Sequence, residues 1–396
     1  MAVDAATAQA AVEQSAGQRQ RDFLFGSRAL DFWLLGGLSV AVWLPLYFFL
    51  ERGTLRDLTG TSVPAIAFLL AYWVNYPHFM ASYKLAYGQG TTFVRGNWFQ
   101  LIAVPMVFLL AIVAAWLAWE VDVSNSGLIQ GVNGLLAALG LETRFGRYPN
   151  LGREILGQMV VFMYFTVGWH YAKQAFGCMM VYARLDGYQL TGFERNLVRY
   201  ALLSTWWVTF VYINIGSTSY PFYNLDIYRL NLPYWWLQAG YVVAGGLFAA
   251  LLVMVVRKYR LHRQLPSWNF VIPMLALLVW HIPLLRDPQY FYLLGFFHSL
   301  QYFPFVAKVE HSRYVRRGRR WPYWRLALFF GLMVTLGFLA FDWVPHQLDR
   351  GGETWASLGV SFFIISFIAF INIHHYFIDN VLWRFKNREV RELLFH

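Results

Sequence analysis

Histidine is the residue type in this chain whose placement could do chemistry, and there are ten of them. His262, His311, His346 and His396 fall in polar loops or at the chain end, where a solvated imidazole needs no partner. The other six lie inside apolar stretches: His78 in Asn75-Tyr76-Pro77-His78-Phe79, His170 in Val167-Gly168-Trp169-His170-Tyr171, His298 in Phe296-Phe297-His298-Ser299, the pair His374 and His375 ahead of Asp379, and His281. A neutral imidazole has one donor and one acceptor to satisfy. In an apolar medium such a group turns to the protein interior and is functional by default. The bland alternative for any one of them is a helix-to-helix hydrogen bond. Several at one depth point instead to a shared transition metal, since imidazole suits iron, copper, nickel and zinc. The single cysteine, Cys178, excludes an internal disulfide, a zinc ribbon and a thiolate-held cluster.

The elements that must position these rings follow from composition. Of 396 residues, 58% are hydrophobic, 19% aromatic and only 13% charged, where a soluble domain carries about 25% charged residues; the mean hydropathy is +0.42. A membrane span needs about 20 mostly apolar residues. Ten stretches qualify, at roughly 30–50, 63–83, 98–119, 156–182, 200–216, 234–256, 269–285, 290–307, 326–345 and 355–382. The expected fold is therefore all-α, a polytopic transmembrane helix bundle of about ten spans, and a classical cytosolic enzyme is excluded. Residues 1–22 read as a mobile polar tail, with no apolar core before Phe23, and 23–396 as a single multi-span membrane domain.

An even number of spans puts both termini on one side. With the N-terminus in the cytosol, 23 of the 32 Lys and Arg residues fall on the cytosolic side, 8 fall outside and Lys173 lies within a span. That asymmetry sets the orientation and suggests a bacterial inner membrane. It also accounts for the net charge of +11 without nucleic acid as a partner. Basic runs at Arg257 to Arg263 and Arg313 to Arg320 serve as inside anchors, with acidic lipid head groups or RNA as the other reading. The outer loop Val121 to Glu154 holds a weakly amphipathic stretch, Leu128 to Leu141, whose glycines argue against a stable helix.

His78, His170, His298 and His374 occupy spans two, four, eight and ten, all running inward. Counting to the first cytosolic base gives 6 residues for His78 (to Lys84), 14 for His170 (to Arg184), 10 for His298 (to Lys308) and 10 for His374 (to Arg384). At about 1.5 Å per residue they lie roughly 9 to 21 Å from the inner charge layer, so four helices could present them in one layer. His375 is an alternative to its neighbour, because adjacent helical residues point about 100° apart and the two do not both reach one ion. His281, five residues before Arg286, lies near the outer surface and is left out. Asp379 either orients a liganding imidazole through its second nitrogen or caps the inner end of the last span. Lys173, one turn after His170, either lines a polar cavity or extends to the interface; its depth favours the cavity. Asp342 is read as a solvated carboxylate near the outer end of span nine.

In these segments the chain resembles the Brp/Blh-type membrane carotenoid dioxygenases. Pro77-His78, His170-Tyr171, His298-Ser299 and His374 with Asp379 follow the family's order and local context, over about 40 of the 396 residues. The resemblance implies non-haem iron held by histidines and cleavage of a conjugated isoprenoid with O2. Where the family has a second histidine one turn after the His-Ser pair, this chain has Tyr302, and family aspartates are replaced by Ser82 and Ala175.

The expected function is thus a membrane-embedded non-haem iron oxygenase, a metal-dependent oxidoreductase acting on a lipophilic, isoprenoid or carotenoid-like substrate with O2. The metal candidates are His78, His170, His298, His374 and His375; the candidate catalytic side chains are Tyr302 and Asp379. Non-haem Fe(II) is the expected cofactor, with another transition metal or haem as alternatives. Partners are membrane lipids, the substrate and O2. No dinucleotide, P-loop or flavin motif is present, so any electron donor would be a separate partner. Two other readings stand beside this one: a haem-binding electron-transfer or quinol-linked protein, and a transporter whose histidines relay protons. A di-iron desaturase would need His-x-x-x-His clusters, which are absent.

Overall fold

A computed structural model describes residues 23–50, 69–123, 126–142, 144–284, 291–316, 323–351, 361–384 and 386–395; the polar tail 1–22 lies outside them. The described residues are mostly helical. In order, the helices are α1 (Arg28–Phe32), α2 (Leu38–Leu50), α3 (Tyr76–Tyr87), α4 (Thr91–Gly96), α5 (Val104–Leu117), α6 (Gly127–Ala138), α7 (Leu151–Leu185), α8 (Gly192–Ile213), α9 (Tyr234–His262), α10 (Trp268–Leu284), α11 (Phe291–Val315), α12 (Tyr323–Phe338), α13 (Val344–Arg350), α14 (Phe362–Leu382) and α15 (Arg388–Phe395). Each of the ten apolar stretches is helical over its described part, apart from a few residues at the ends.

Four helical runs are long and apolar enough to cross a membrane: Phe99–Leu117, Tyr234–His262, Trp324–Arg350 and Phe362–Leu382. Three of them turn large apolar side chains outward, among them Leu110, Leu117, Val242, Leu252 and Leu328. A contiguous apolar face of that kind marks a membrane or partner surface rather than a water-facing one. The fourth, α14, is mostly buried and runs through the interior.

Proline shapes several of these runs. Wide helical turns occupy Ala71–Asn75, Phe99–Ala103 and Leu339–Trp343, and each ends two residues before a proline: Pro77, Pro105 and Pro345. Proline has no N–H to donate, and its ring clashes with the carbonyl four residues back. The local answer is a turn that closes one residue later, a feature common at functional sites. The first of these turns leads straight into His78.

The core is organised around α7, 35 residues long and so on the order of 50 Å. It packs against α5, α8, α10 and α14, while α14 also packs against α3. α12 crosses α3 closely: a Cβ placed on Gly337 would meet the Tyr76 backbone carbon at 2.9 Å, so only glycine fits there. α11 lies against α3, α10 and α15. These contacts bring together α3, α7, α11 and α14, which carry His78, His170, His298 and the His374–His375 pair.

Two local expectations are corrected. The stretch from Leu128 is a helix despite its glycines: α6 is capped by the Ser126 hydroxyl, which accepts from the Ile129 N–H. It buries no residue, and Leu128 and Leu135 are largely exposed. The described residues also hold one hairpin, β1 (Ser219–Phe222) paired with β2 (Leu225–Tyr228), with Phe222 opposite Leu225 and Tyr220 opposite Ile227. Phe222, Leu225 and Ile227 pack beside Trp119, Tyr148 and Leu156, so the hairpin closes that end of the bundle.

Candidate metal centre

His78 of α3, His170 of α7, His298 of α11 and His375 of α14 converge. All four are buried, and one ligating atom from each lies within 4.8 Å of the others. Their rings form a closed circuit, with centroids 5.1 Å apart for His78 and His298, 4.8 Å for His298 and His170, 4.9 Å for His170 and His375, and 4.4 Å for His375 and His78.

The donor set fits a transition metal. Metal–imidazole bonds are about 2.0–2.1 Å, so ligands facing each other across an ion stand at most about 4.2 Å apart, and closing from 4.8 Å takes a few tenths of an ångström per ring. Six ring nitrogens have no hydrogen-bond partner among the described residues: Nε2 of His78, Nε2 of His170, and both nitrogens of His298 and of His375. A buried unsatisfied polar group costs about 1–3 kcal/mol, so the set costs on the order of 6 to 18 kcal/mol. Domain stabilities are about 5–15 kcal/mol. An ion taking one nitrogen from each ring would satisfy four of the six, and metal coordination is worth about 10–16 kcal/mol in structural zinc sites.

His78 is oriented by its neighbours. Its Nδ1 lies 3.1 Å from the Asn75 carbonyl, which can only accept, so Nδ1 carries the proton and the Nε2 lone pair faces the group. Ser299 Oγ sits 3.1 Å from the same Nδ1 and is anchored at 2.9 Å from Asn75 Oδ1 and 2.7 Å from the Gly295 carbonyl. The wide turn ahead of Pro77 supplies that carbonyl and side chain. Tyr171 covers His298, ring centroids 4.3 Å apart, and Gln174 Nε2 donates to the His298 carbonyl at 2.8 Å.

His374 does not belong to this group. Tyr87 donates its proton to the Leu101 carbonyl (2.6 Å), so its oxygen accepts from His374 Nε2 at 3.3 Å, and Tyr83 donates to His374 Nδ1 at 2.8 Å. Both nitrogens are thereby engaged, and the adjacent His375 takes the place expected of it. His281 also stands apart, its Nδ1 2.5 Å from the Leu277 carbonyl one turn back.

Asp379 borders the histidines directly instead of holding a far ring nitrogen. Its Oδ2 lies 3.7 Å from His170 Nε2 and 3.6 Å from His375 Nε2. Its Oδ1 accepts from the Tyr302 hydroxyl at 3.1 Å, which also accepts from Trp383 Nε1 at 3.0 Å and bonds Ser82 Oγ. Ser82 and Tyr302, two of the positions where the chain departs from the resembled pattern, are thus partners of each other. Lys173 reaches Asn380 Oδ1 at 2.5 Å and stacks over Trp169, inside a cavity as its depth suggested. The supporting roles of Asn75, Gln174, Tyr83 and Tyr87 escaped the sequence reading; for Asn75 the signal was available, as the residue two before a proline in a histidine-bearing helix.

Two cavities flank the group. An apolar one of about 720 Å³ lies between α3, α11 and α12, with His78, Ser299 and Tyr302 at its inner wall and Trp73, Phe303 and Phe330 among its lining. A more polar one of about 410 Å³ is bounded by His170, Asp379 and Tyr302 on one side and by α15 on the other. No protein-family model, curated protein or solved structure matches the chain.

Proposed function

We propose that the protein is a membrane-embedded oxygenase that holds a non-haem metal, Fe(II), on His78, His170, His298 and His375 and acts with O2 on a lipophilic, isoprenoid-like substrate. The observation that carries the reading is the ring of four buried imidazoles with unpartnered nitrogens at the inner wall of an apolar cavity. In this reading the ten apolar stretches lie in a bacterial inner membrane with both termini in the cytosol, an orientation that the distribution of basic residues favours.

A ferrous ion on neutral nitrogens would supply the electron chemistry that activates O2. The chain supplies the rest. The 720 Å³ cavity is within the size range of small-molecule sites, about 300–1,000 Å³, and its aromatic and aliphatic walls suit a flat apolar chain arriving from lipid. Those walls exclude water, which protects reactive species from side reactions. Ser299 and Asn75 hold the His78 ring. The Tyr302 hydroxyl, shared among Ser82, Trp383 and Asp379, is positioned to hold or pass a proton beside the histidines. The resemblance to the Brp/Blh-type enzymes supports a dioxygenase, in which both oxygen atoms enter product and no external reductant is needed.

The haem alternative is disfavoured by the spacing. A macrocycle needs a clear slot between two axial rings, whereas four rings stand 4.4 to 5.1 Å apart in a closed circuit. Elemental analysis and O2 uptake test the proposal together. The purified chain is expected to carry close to one iron; His78→Ala, His170→Ala, His298→Ala and His375→Ala should each lose most of it, while His374→Ala and His281→Ala keep it. Oxygen consumption with an added carotenoid or polyprenoid should follow iron content. Metal content indifferent to the four substitutions would refute the site.

A further inference from the structure

The 410 Å³ chamber on the other side of the histidines has a composition that lipid-facing or solvated surfaces do not require. Lys173, Arg199, Arg384 and Arg391 all line it, against one carboxylate, Asp379. As inside anchors these bases would need only to face water. Here they share one cavity, and Arg199 and Arg384 act on Lys173 as like charges. Neither Arg199 nor Arg384 is paired with a carboxylate among the described residues. A cleft lined by one sign of charge with low-dielectric walls focuses its field and draws in the counter-ion.

A second, independent feature points the same way. Tyr376 is 1% exposed, lines the chamber, and its hydroxyl has no hydrogen-bond partner among the described residues. An unpaired buried hydroxyl costs about 1–3 kcal/mol and is a ready donor to an anionic oxygen. The remaining wall is apolar: Phe305 from α11, and Val390 and Leu394 from α15, which closes the chamber.

We propose that this chamber is an anion-binding site for a small amphiphile, a molecule with a carboxylate or phosphate head and a short apolar body, seated between α7, α8, α14 and α15. The head meets Arg199, Arg384 and Lys173, and the body lies against the α15 side chains. The volume is within the range of small-molecule sites, about 300–1,000 Å³. The bases that define the site are separate residues from the four histidines, although His170 lines the same chamber.

The test uses the full chain in phosphatidylcholine nanodiscs and radiolabelled octanoate, followed by equilibrium dialysis. Saturable binding near one per chain is expected, weakening as salt is raised and at least tenfold weaker in Arg199→Gln/Arg384→Gln, whose iron content stays at the wild-type level. Both arginines are exposed, and surface substitutions of this kind leave folding nearly untouched. Nanodiscs containing phosphatidic acid separate the two sources of such a head: displacement of octanoate assigns the site to a lipid, and undisturbed octanoate binding assigns it to a soluble anion. Absence of saturable octanoate binding in the wild type, or equal binding in the double variant, overturns the proposal.

Discussion

His374 and His375 are neighbours with different tasks, and the difference is one of helical phase. Side chains on adjacent residues leave a helix about 100° apart, so when α14 turns His375 toward His78 and His170, His374 must face α3 and meet Tyr83 and Tyr87. Counting residues to the first base in the sequence grouped His78, His170, His298 and His374, and three of those four stand in the cluster. Phase was not readable, because it depends on which face of α14 its neighbours cover. At this scale the residues that hold the rings are as testable as the rings. Ser299 touches His78 only on the protonated nitrogen, so Ser299→Ala should leave the fold intact and weaken metal affinity by about 10–100-fold, the usual effect of removing a ligand's hydrogen-bond partner. Metal-competition titration with a chelator measures it; affinity equal to wild type would mean that Ser299 does not orient the ring.

At the scale of elements, the ten stretches found by hydropathy are helical over their described parts, and the prolines explain why three of them contain a wide turn. What the sequence could not convey was α6 and the hairpin, both short and both stabilised by local hydrogen bonds rather than by long apolar periodicity. The start of α8 was legible in principle: Thr191 and Glu194 form a reciprocal cap, each side chain bonding the other's backbone N–H. Glu194 is also 3.1 Å from Lys258 of α9. Burial pushes its carboxyl upward, but the Thr191 N–H and Lys258 outweigh burial and hold it below the ordinary value of 4.5. A depressed carboxyl contributes stability that is complete above its unfolded value and disappears as the pH falls through the folded one. The wild type should therefore lose thermal stability as the pH drops below about 4.5 by more than Glu194→Gln does, and Thr191→Ala should cost about 1 kcal/mol at neutral pH. Thermal melts across that pH range check both; parallel curves for wild type and Glu194→Gln would remove Glu194 from the account.

For the whole molecule, the proposed orientation places α6 and the hairpin outside and α15 inside. The single native cysteine, Cys178, is buried, so introduced thiols can be read against a quiet background. Leu128→Cys, on a residue 78% exposed, should react with a membrane-impermeant maleimide in intact cells. Lys386→Cys should react only after permeabilisation. The reverse pattern would invert the topology. The two cavities were beyond any sequence reading, since each is bounded by side chains from helices far apart in the chain.

One side chain, Tyr302, belongs to the walls of both cavities, and its hydroxyl is tied down by Ser82, Trp383 and Asp379. It is therefore a bulkhead as much as a reagent. Shaving it to alanine would merge a greasy compartment with a charged one into a single conduit that admits solvent, whereas phenylalanine would keep the bulkhead and remove only its polar tip.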